Sequence, residues 1–358
     1  MNPSPKQYYD THIAFYDTRI AVLRRRGRLF MTGEIAFFAI AIGFVALYTV
    51  STTGLSPLAA ALLSVVAYVV VRRMDERNDG RRERLEALRE VCVRERDYLD
   101  GTFTAFDDGR RYADARHPFT FDIDVFGPQS LYHRICRTVT TGGSDRLAAM
   151  LSDPQLDTID AQADAIAELA TQTDWRKEYC AEGVAAKVDT AAVVRALHGV
   201  ASVKVGRWVL SPLTLVLALV ALGAFLATIV LAATTSMPSS VAVVGGIAVL
   251  AAVLGLCHAT LMEASRAAGK LQEQIGTFVR VVAHIASLQP TSDMLRQLRD
   301  EVAGAVAAFH EAGQIVKALD RRGNVLGLII FDMFLLNDFF LLRRFARWQK
   351  GFALNMDR

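Results

Sequence analysis

Asp122 and Asp124 stand two residues apart in the run FDIDVFG, residues 121–127. On a short extended segment both carboxylates would point the same way, and such a pair can bind a cation or act as an acid/base couple. Solvated loop charges or helix caps are the plainer reading, and the one we prefer. Arg137 and Arg146 follow closely, and two guanidinium groups can contact phosphate. Structural hydrogen bonds and ion pairs are the preferred role for both. His12, His117, His133, His198, His258, His284 and His310 show no metal-ligand pairing. Cys92, Cys136, Cys180 and Cys257 are scattered singly, which reads as reduced and mostly buried thiols. No nucleophile constellation is visible, so no residue is assigned a catalytic, cofactor-binding or metal-binding role.

What must position these residues is an unusual chain. Of its 358 residues, 52% are hydrophobic and 22% charged, and the mean hydropathy is +0.26. That mixture suggests membrane segments joined to a water-soluble part. The net charge of +3 is too small to argue for nucleic acid. No charged residue occurs from Ile35 to Val71 or from Trp208 to Met262. Each run is broken once, near Ser51–Pro57 and near Thr234–Ser240, and each half is long enough for a helix of about 20 residues. The expectation is two transmembrane hairpins, 31–50 with 56–72 and 208–232 with 241–261.

Basic residues flank the hairpins and none sits in their turns. Arg24, Arg25, Arg26 and Arg28 precede the first hairpin, and Arg72, Arg73 and Arg77 open the segment after it. The positive-inside rule then places both termini and the middle of the chain in the cytoplasm, as in a multi-pass protein of a bacterial-type inner membrane. The same seven arginines are candidates for lipid-headgroup contact, a solvated helix face being the alternative. No cleavable signal peptide is expected, because an acid-containing segment precedes the first apolar run. Transport would need ionisable groups at membrane depth. Only Glu34 and His258 approach it, so anchoring is the better reading.

The remaining segments read as helices. Tyr9, Ile13, Tyr16, Ile20 and Leu23 recur at spacings of three and four, and Leu85, Leu88, Cys92 and Leu99 continue a stripe interrupted by Glu95. Asp100-Gly101 and Asp107-Asp108-Gly109 mark a loop. Gly127-Pro128 starts a helix with Leu131, Ile135 and Val139 on one face. Thr140–Ser144 is a break, and Ser144 or Asp145 caps a helix carrying Leu147, Met150 and Leu151. The next helix uses Ile159, Ala163, Ile166 and Leu169. Ser292 caps a later one. Val325–Leu342 is apolar but contains Asp332, Asn337 and Asp338, and a core helix is preferred to a fifth span.

Residues 121–154 resemble the opening of the core, or lever, domain of MutS-family mismatch-repair proteins. The resemblance rests on Leu131, Arg137, Thr138, Gly142 or Gly143, Arg146, Leu147, Leu151 and Pro154. The lead-in Asp122, Asp124, Phe126 and Gly127, preceded by His117-Pro118, is similar to a membrane-attached subgroup. The resemblance implies a helical lever in a protein related to mismatched-DNA binding and ATP hydrolysis. The departures are large. The G-x-x-x-x-G-K-[ST] phosphate loop is missing, since Gly269-Lys270 lacks both flanks. Phe309-His310-Glu311 is the one Phe-x-Glu, too far along the chain to read a mismatch. The second hairpin stands where the family inserts its DNA clamp.

The expected fold is therefore all-α, a polytopic membrane protein with a cytoplasmic MutS-core-like domain. Its parts are an amphipathic helix (1–30), a first hairpin (31–72), a basic helix and linker (73–115), a first lever part (116–207), a second hairpin (208–262) and returning helices (263–358). The expected function is a non-catalytic lever coupling a MutS-type ATPase, beyond Arg358 or on another chain, to the membrane. The alternative is a stand-alone membrane scaffold. Expected partners are the lipid bilayer and a second copy or an ATPase chain, with no direct DNA binding. No cofactor is expected in this chain, ATP and Mg entering only with such an ATPase.

Overall fold

A computed structural model describes residues 4–50, 56–234, 255, 257–267, 272–320 and 337–356. Among these, every regular element is helical, with one isolated bridge between Thr140 and Val188. The helices are α1 (Pro5–Val50), α2 (Ser56–Leu99), α3 (Leu131–Ile135), α4 (Thr141–Ser152), α5 (Ile159–Thr171), α6 (Thr173–Glu182), α7 (Thr190–Ala201), α8 (Pro212–Thr234), α9 (Gln272–Ala286), α10 (Asp293–Asp320) and α11 (Asn337–Met356). Two compact units emerge. The first comprises Met1–Val139, Leu147–Pro154 and Gln172–Ala186; the second comprises Thr140–Arg146, Gln155–Thr171 and Lys187–Arg358.

The first unit is built on an antiparallel pair. At 46 and 44 residues, α1 and α2 are each roughly 65–70 Å long, about twice what a bilayer crossing requires. The sequence suggested a helix at 6–29 and a separate span at 31–50. The structure instead has one unbroken helix, because nothing stronger than Gly33 interrupts residues 28–35 and a lone glycine costs only about 1 kcal/mol. Likewise 56–72 runs on into 73–99 through Gly80.

Pairing along the two helices keeps one register. Lys6 meets Asp100 at 2.6 Å, Asp17 meets Arg89 at 2.6 Å, Arg24 meets Glu86 at 2.8 Å and Glu34 meets Arg72 at 3.2 Å. Each exposed pair contributes little energy, but together they fix the register. Between them the Asn78 amide donates to the Leu23 carbonyl at 3.1 Å. Gly27 permits that approach, since a Cβ there would stand 3.3 Å from Asn78 Nδ2.

The core of this unit lies at one end of the hairpin, where Ile13, Tyr16 and Ile20 pack on Leu88, Val91, Cys92 and Ala181. These are the stripes the sequence displays, although Leu99 is exposed. Burial stops further along. Ile35, Phe38, Ile42 and Leu47 of α1 and Leu62, Leu63, Val66 and Val70 of α2 all face outward. Pro5–Leu47 is the one described helix long and apolar enough to cross a membrane, and its most apolar window is only 6% buried.

In the second unit Val193, Leu197 and Val200 of α7 pack with Ile275 and Val279 of α9, Ile315 of α10, and Phe339, Leu342, Phe345 and Trp348 of α11. The Gln349 amide donates to the carbonyls of Val200, Ala201 and Val203 at 3.3, 3.0 and 2.8 Å, satisfying the end of α7. The uncharged α8 exposes Leu213, Val216, Leu217, Leu219 and Val220. Trp208–Leu210 belong to a short 3-10 turn before it. The return arm of the second hairpin over 241–254, and 325–336 of the apolar stretch before α11, lie outside the described residues. The described end of that stretch, Asp338 to Leu342, includes the buried Asp338, Phe339, Leu341 and Leu342 and so belongs to this core.

Candidate functional site

The segment singled out for chemistry is largely consumed by structure. Residues 120–124 form turns rather than a strand, and Asp122 and Asp124 are both exposed, Asp124 with a left-handed φ of 50°. They make no shared carboxylate site. Gly127 and Gln129 also have positive φ, at 113° and 61°, so Pro128 lies outside the helix it was expected to begin. Instead Ser130 caps α3, accepting from the His133 N–H. A five-residue helix has no room for the expected Leu131–Ile135–Val139 face. Leu131 and Ile135 are exposed, while Tyr132 and Cys136 join Val125, Phe126 and Ala148 in a small core that Leu147 and Leu151 flank.

Arg137 is fully occupied. Its Nε and Nη2 donate to the two carboxylate oxygens of Glu95 at 2.5 and 3.2 Å. Its Nη1 donates to the carbonyls of Arg134 and Cys136 at 3.1 and 3.0 Å. The guanidinium also lies 3.7 Å from the Phe106 ring centroid and 4.7 Å from that of Tyr98. Glu95, the polar break in the α2 stripe, is thus the partner of Arg137. Arg146 is exposed and has no acceptor among the described residues.

The Thr-Gly-Gly turn is likewise closed. Helix α4 begins earlier than expected, at Thr141, because Thr140 acts as its cap and its hydroxyl accepts from the Gly143 N–H at 3.0 Å. The Gly142 N–H donates to Thr190 Oγ1 at 3.2 Å, and the Thr190 N–H to Thr141 Oγ1 at 3.1 Å. A Cβ on Gly142 would stand 3.1 Å from Thr190 Oγ1. These amides are spent on the protein and do not cradle an anion. Thr138 Oγ1 lies 3.3 Å from Cys136 Sγ, and Pro154 is exposed beyond the end of α4.

Two arrangements escaped sequence reasoning. Lys177, on the exposed-looking α6, is buried against Tyr8 and Tyr16 and donates to Asp174 at 2.7 Å and Tyr8 Oη at 3.4 Å. Burial alone would lower its pKa, yet the hydrogen bonds to Asp174, Tyr16 and Tyr8 raise it above the ordinary value. The second is Glu168. Its carboxylate accepts from the N–H groups of Thr291 and Ser292 at 2.7 and 2.8 Å, so α5 supplies the anionic cap for the start of α10. The sequence had given that role to Ser292. On α5 itself, Ile159, Ala163 and Ile166 of the expected face are exposed, while Leu169 is half-buried on the side of the buried Ala165.

Of the seven arginines marked for lipid contact, Arg24 and Arg72 are paired with Glu86 and Glu34. Arg25, Arg26, Arg28, Arg73 and Arg77 are exposed and have no acceptor among the described residues. Near them burial, with the charges of Asp79 and Glu34, raises the Asp75 pKa. All four cysteines are free thiols. Among the described residues no three His, Cys, Asp or Glu side chains stand together as a metal site. Comparison of the chain with protein families, with curated proteins and with solved structures gave no match.

Proposed function

We propose that this chain anchors a helical cytoplasmic body to a membrane and transmits position between the two. The observation that carries this reading is the continuity of α1 and α2. Each helix packs into a core at one end and exposes large aliphatic side chains at the other, with no hinge between. Apolar patches of this extent are covered by lipid or protein, and the length and composition of α1 suit lipid. In the fuller form of the proposal, 31–72 and 208–262 are both transmembrane hairpins with all other segments cytoplasmic. The body then acts as the lever of a MutS-like ATPase, and the second hairpin holds the lever where a DNA clamp would otherwise project. That form rests on the sequence resemblance of residues 121–154.

Single cysteines in a cysteine-free background test the arrangement. A membrane-impermeant maleimide added to intact cells should label positions 53 and 237, and should reach positions 110 and 204 only after lysis. Labelling of 237 only after lysis would overturn the second hairpin. Extraction of the whole chain by carbonate at high pH would overturn the anchor itself.

A further inference from the structure

The arginines of the α1–α2 pair fall into two sets. Arg24, Arg72, Arg82, Arg84 and Arg89 each face a carboxylate. Arg25, Arg26 and Arg28 of α1 and Arg73, Arg77 and Arg81 of α2 are exposed and have no acceptor among the described residues. The unpaired set is not scattered. Gly27 lies against Asn78 and Asp75, so the two triplets share one level of the hairpin. They form a band about 12 Å deep along the axis. On one side of it begin the outward-facing Ile35, Phe38 and Val70; on the other begins the packed core at Ile20 and Leu88. A headgroup layer is roughly 5–8 Å thick on each side of the hydrocarbon, and arginine side chains reach across the difference. Beside the band, an open cleft is lined by Arg24, Arg25, Arg28 and Arg89 and by Asp17, Glu86 and Glu90, whose carboxylates are engaged by Arg89, Arg24 and Arg94.

We propose that this band is a binding surface for anionic phospholipid headgroups and that it selects acidic over zwitterionic lipid. The inference rests on the membrane-anchoring reading and gives it a chemical partner. A guanidinium donates two parallel hydrogen bonds to a phosphodiester. Zwitterionic lipid carries the same phosphodiester but adds an ammonium, which the six arginines, outnumbering Asp75, Glu76 and Asp79 in the same band, repel. The paired arginines take no part, because their donors are already spent on carboxylates. Arg24 and Arg72 therefore drop out of the set the sequence suggests, and Arg81 enters it.

The test uses the full chain in neutral detergent, where insertion topology no longer matters, with the melting temperature read against added lipid. Phosphatidylglycerol should raise it, whereas phosphatidylcholine and inorganic phosphate should not. Replacing Arg25, Arg26, Arg73 and Arg77 by Gln should weaken the apparent phosphatidylglycerol affinity on the order of several hundredfold, at about fivefold per arginine. The lipid-free melting temperature should stay the same, since these side chains hold no protein partner. The corresponding Lys variant should keep most of the response, and Arg89→Gln should keep all of it. Equal shifts from phosphatidylglycerol and phosphatidylcholine, a Gln variant that keeps its response, or an equal effect of inorganic phosphate would each overturn the proposal. A chain that stays soluble and monodisperse without detergent would instead overturn the anchoring reading beneath it.

Discussion

Replacing Arg137 with alanine separates a structural arginine from a ligand-binding one. Both members of its pair are mostly buried, with side chains 24% exposed for Arg137 and 19% for Glu95. Truncation removes a forked ion pair, two hydrogen bonds to carbonyls and contacts with two rings, and leaves Glu95 shielded from water without its partner. Breaking a fully buried pair costs about 3–5 kcal/mol, so this partly exposed one should cost about 2–3 kcal/mol. For a chain of 358 residues unfolding as one that lowers the melting temperature by about 3–4 °C. Arg137→Lys should lose most of the same amount, because an ammonium can neither fork nor stack as a guanidinium does. In a double-mutant cycle with Glu95→Ala, the coupling should be about 1–3 kcal/mol. The assay is thermal or urea unfolding in detergent followed by helical circular dichroism. A loss below about 0.5 kcal/mol for Arg137→Ala, or strict additivity with Glu95→Ala, would refute the reasoning.

Four further outcomes are expected. Gly183→Ala should destabilise by about 1–3 kcal/mol, since its Cβ would stand 2.5 Å from Val139 Cβ and 2.9 Å from its Cα; the same unfolding assay reads it. Glu168 is held at a pKa of about 2, below its ordinary 4.5, by the N–H groups of Thr291 and Ser292. Its contribution is therefore complete above pH 4.5 and fades as pH falls towards 2, and Glu168→Gln should flatten that part of a pH titration of stability. Burial pushes the Cys92 and Cys180 thiols up to about 11, so neither should react with maleimide at pH 8 until the chain is unfolded. Ile159→Gln and Ile166→Gln should each change stability by less than about 0.5 kcal/mol, because both side chains face outward; a melting curve distinguishes that from a core position.

The helical class and both stripes of the α1–α2 core were legible because they obey one period over many turns, as Ile13, Tyr16 and Ile20 do against Leu88 and Cys92. The 121–145 segment was not, because its geometry depends on exceptions to pattern. Asp124 and Gln129 adopt left-handed backbone, which no periodicity encodes, and the helix starts at Leu131 and Thr141 follow from that path. The start of α10 lies where the sequence puts it, directly after Ser292, but its capping group was misread for a different reason. Ser292 looks like a cap in sequence, but the carboxylate that reaches Thr291 and Ser292 is more than a hundred residues away. The α5 face fails in a third way. Its apolar side is real, but which face a helix buries depends on its neighbours. Here the small Ala165, not Ile159 or Ile166, lies inward.

Continuity also sets what the hairpin can transmit. A helix interrupted at Gly33 or Gly80 would let the body swing freely under its anchor. The Lys6–Asp100, Asp17–Arg89, Arg24–Glu86 and Glu34–Arg72 pairs instead tie the two sides of the hairpin together from its core end as far as the start of its apolar part. At the core end, Arg84 pairs with Glu178 and Glu182, and Lys177 with Tyr8, so α6 is pinned to both long helices. On the proposed reading, rotation or tilt imposed at the apolar end would reach α6 through these contacts. The mutual pinning of α1, α2 and α6 is the feature by which the proposed transmitting element would differ from a tether.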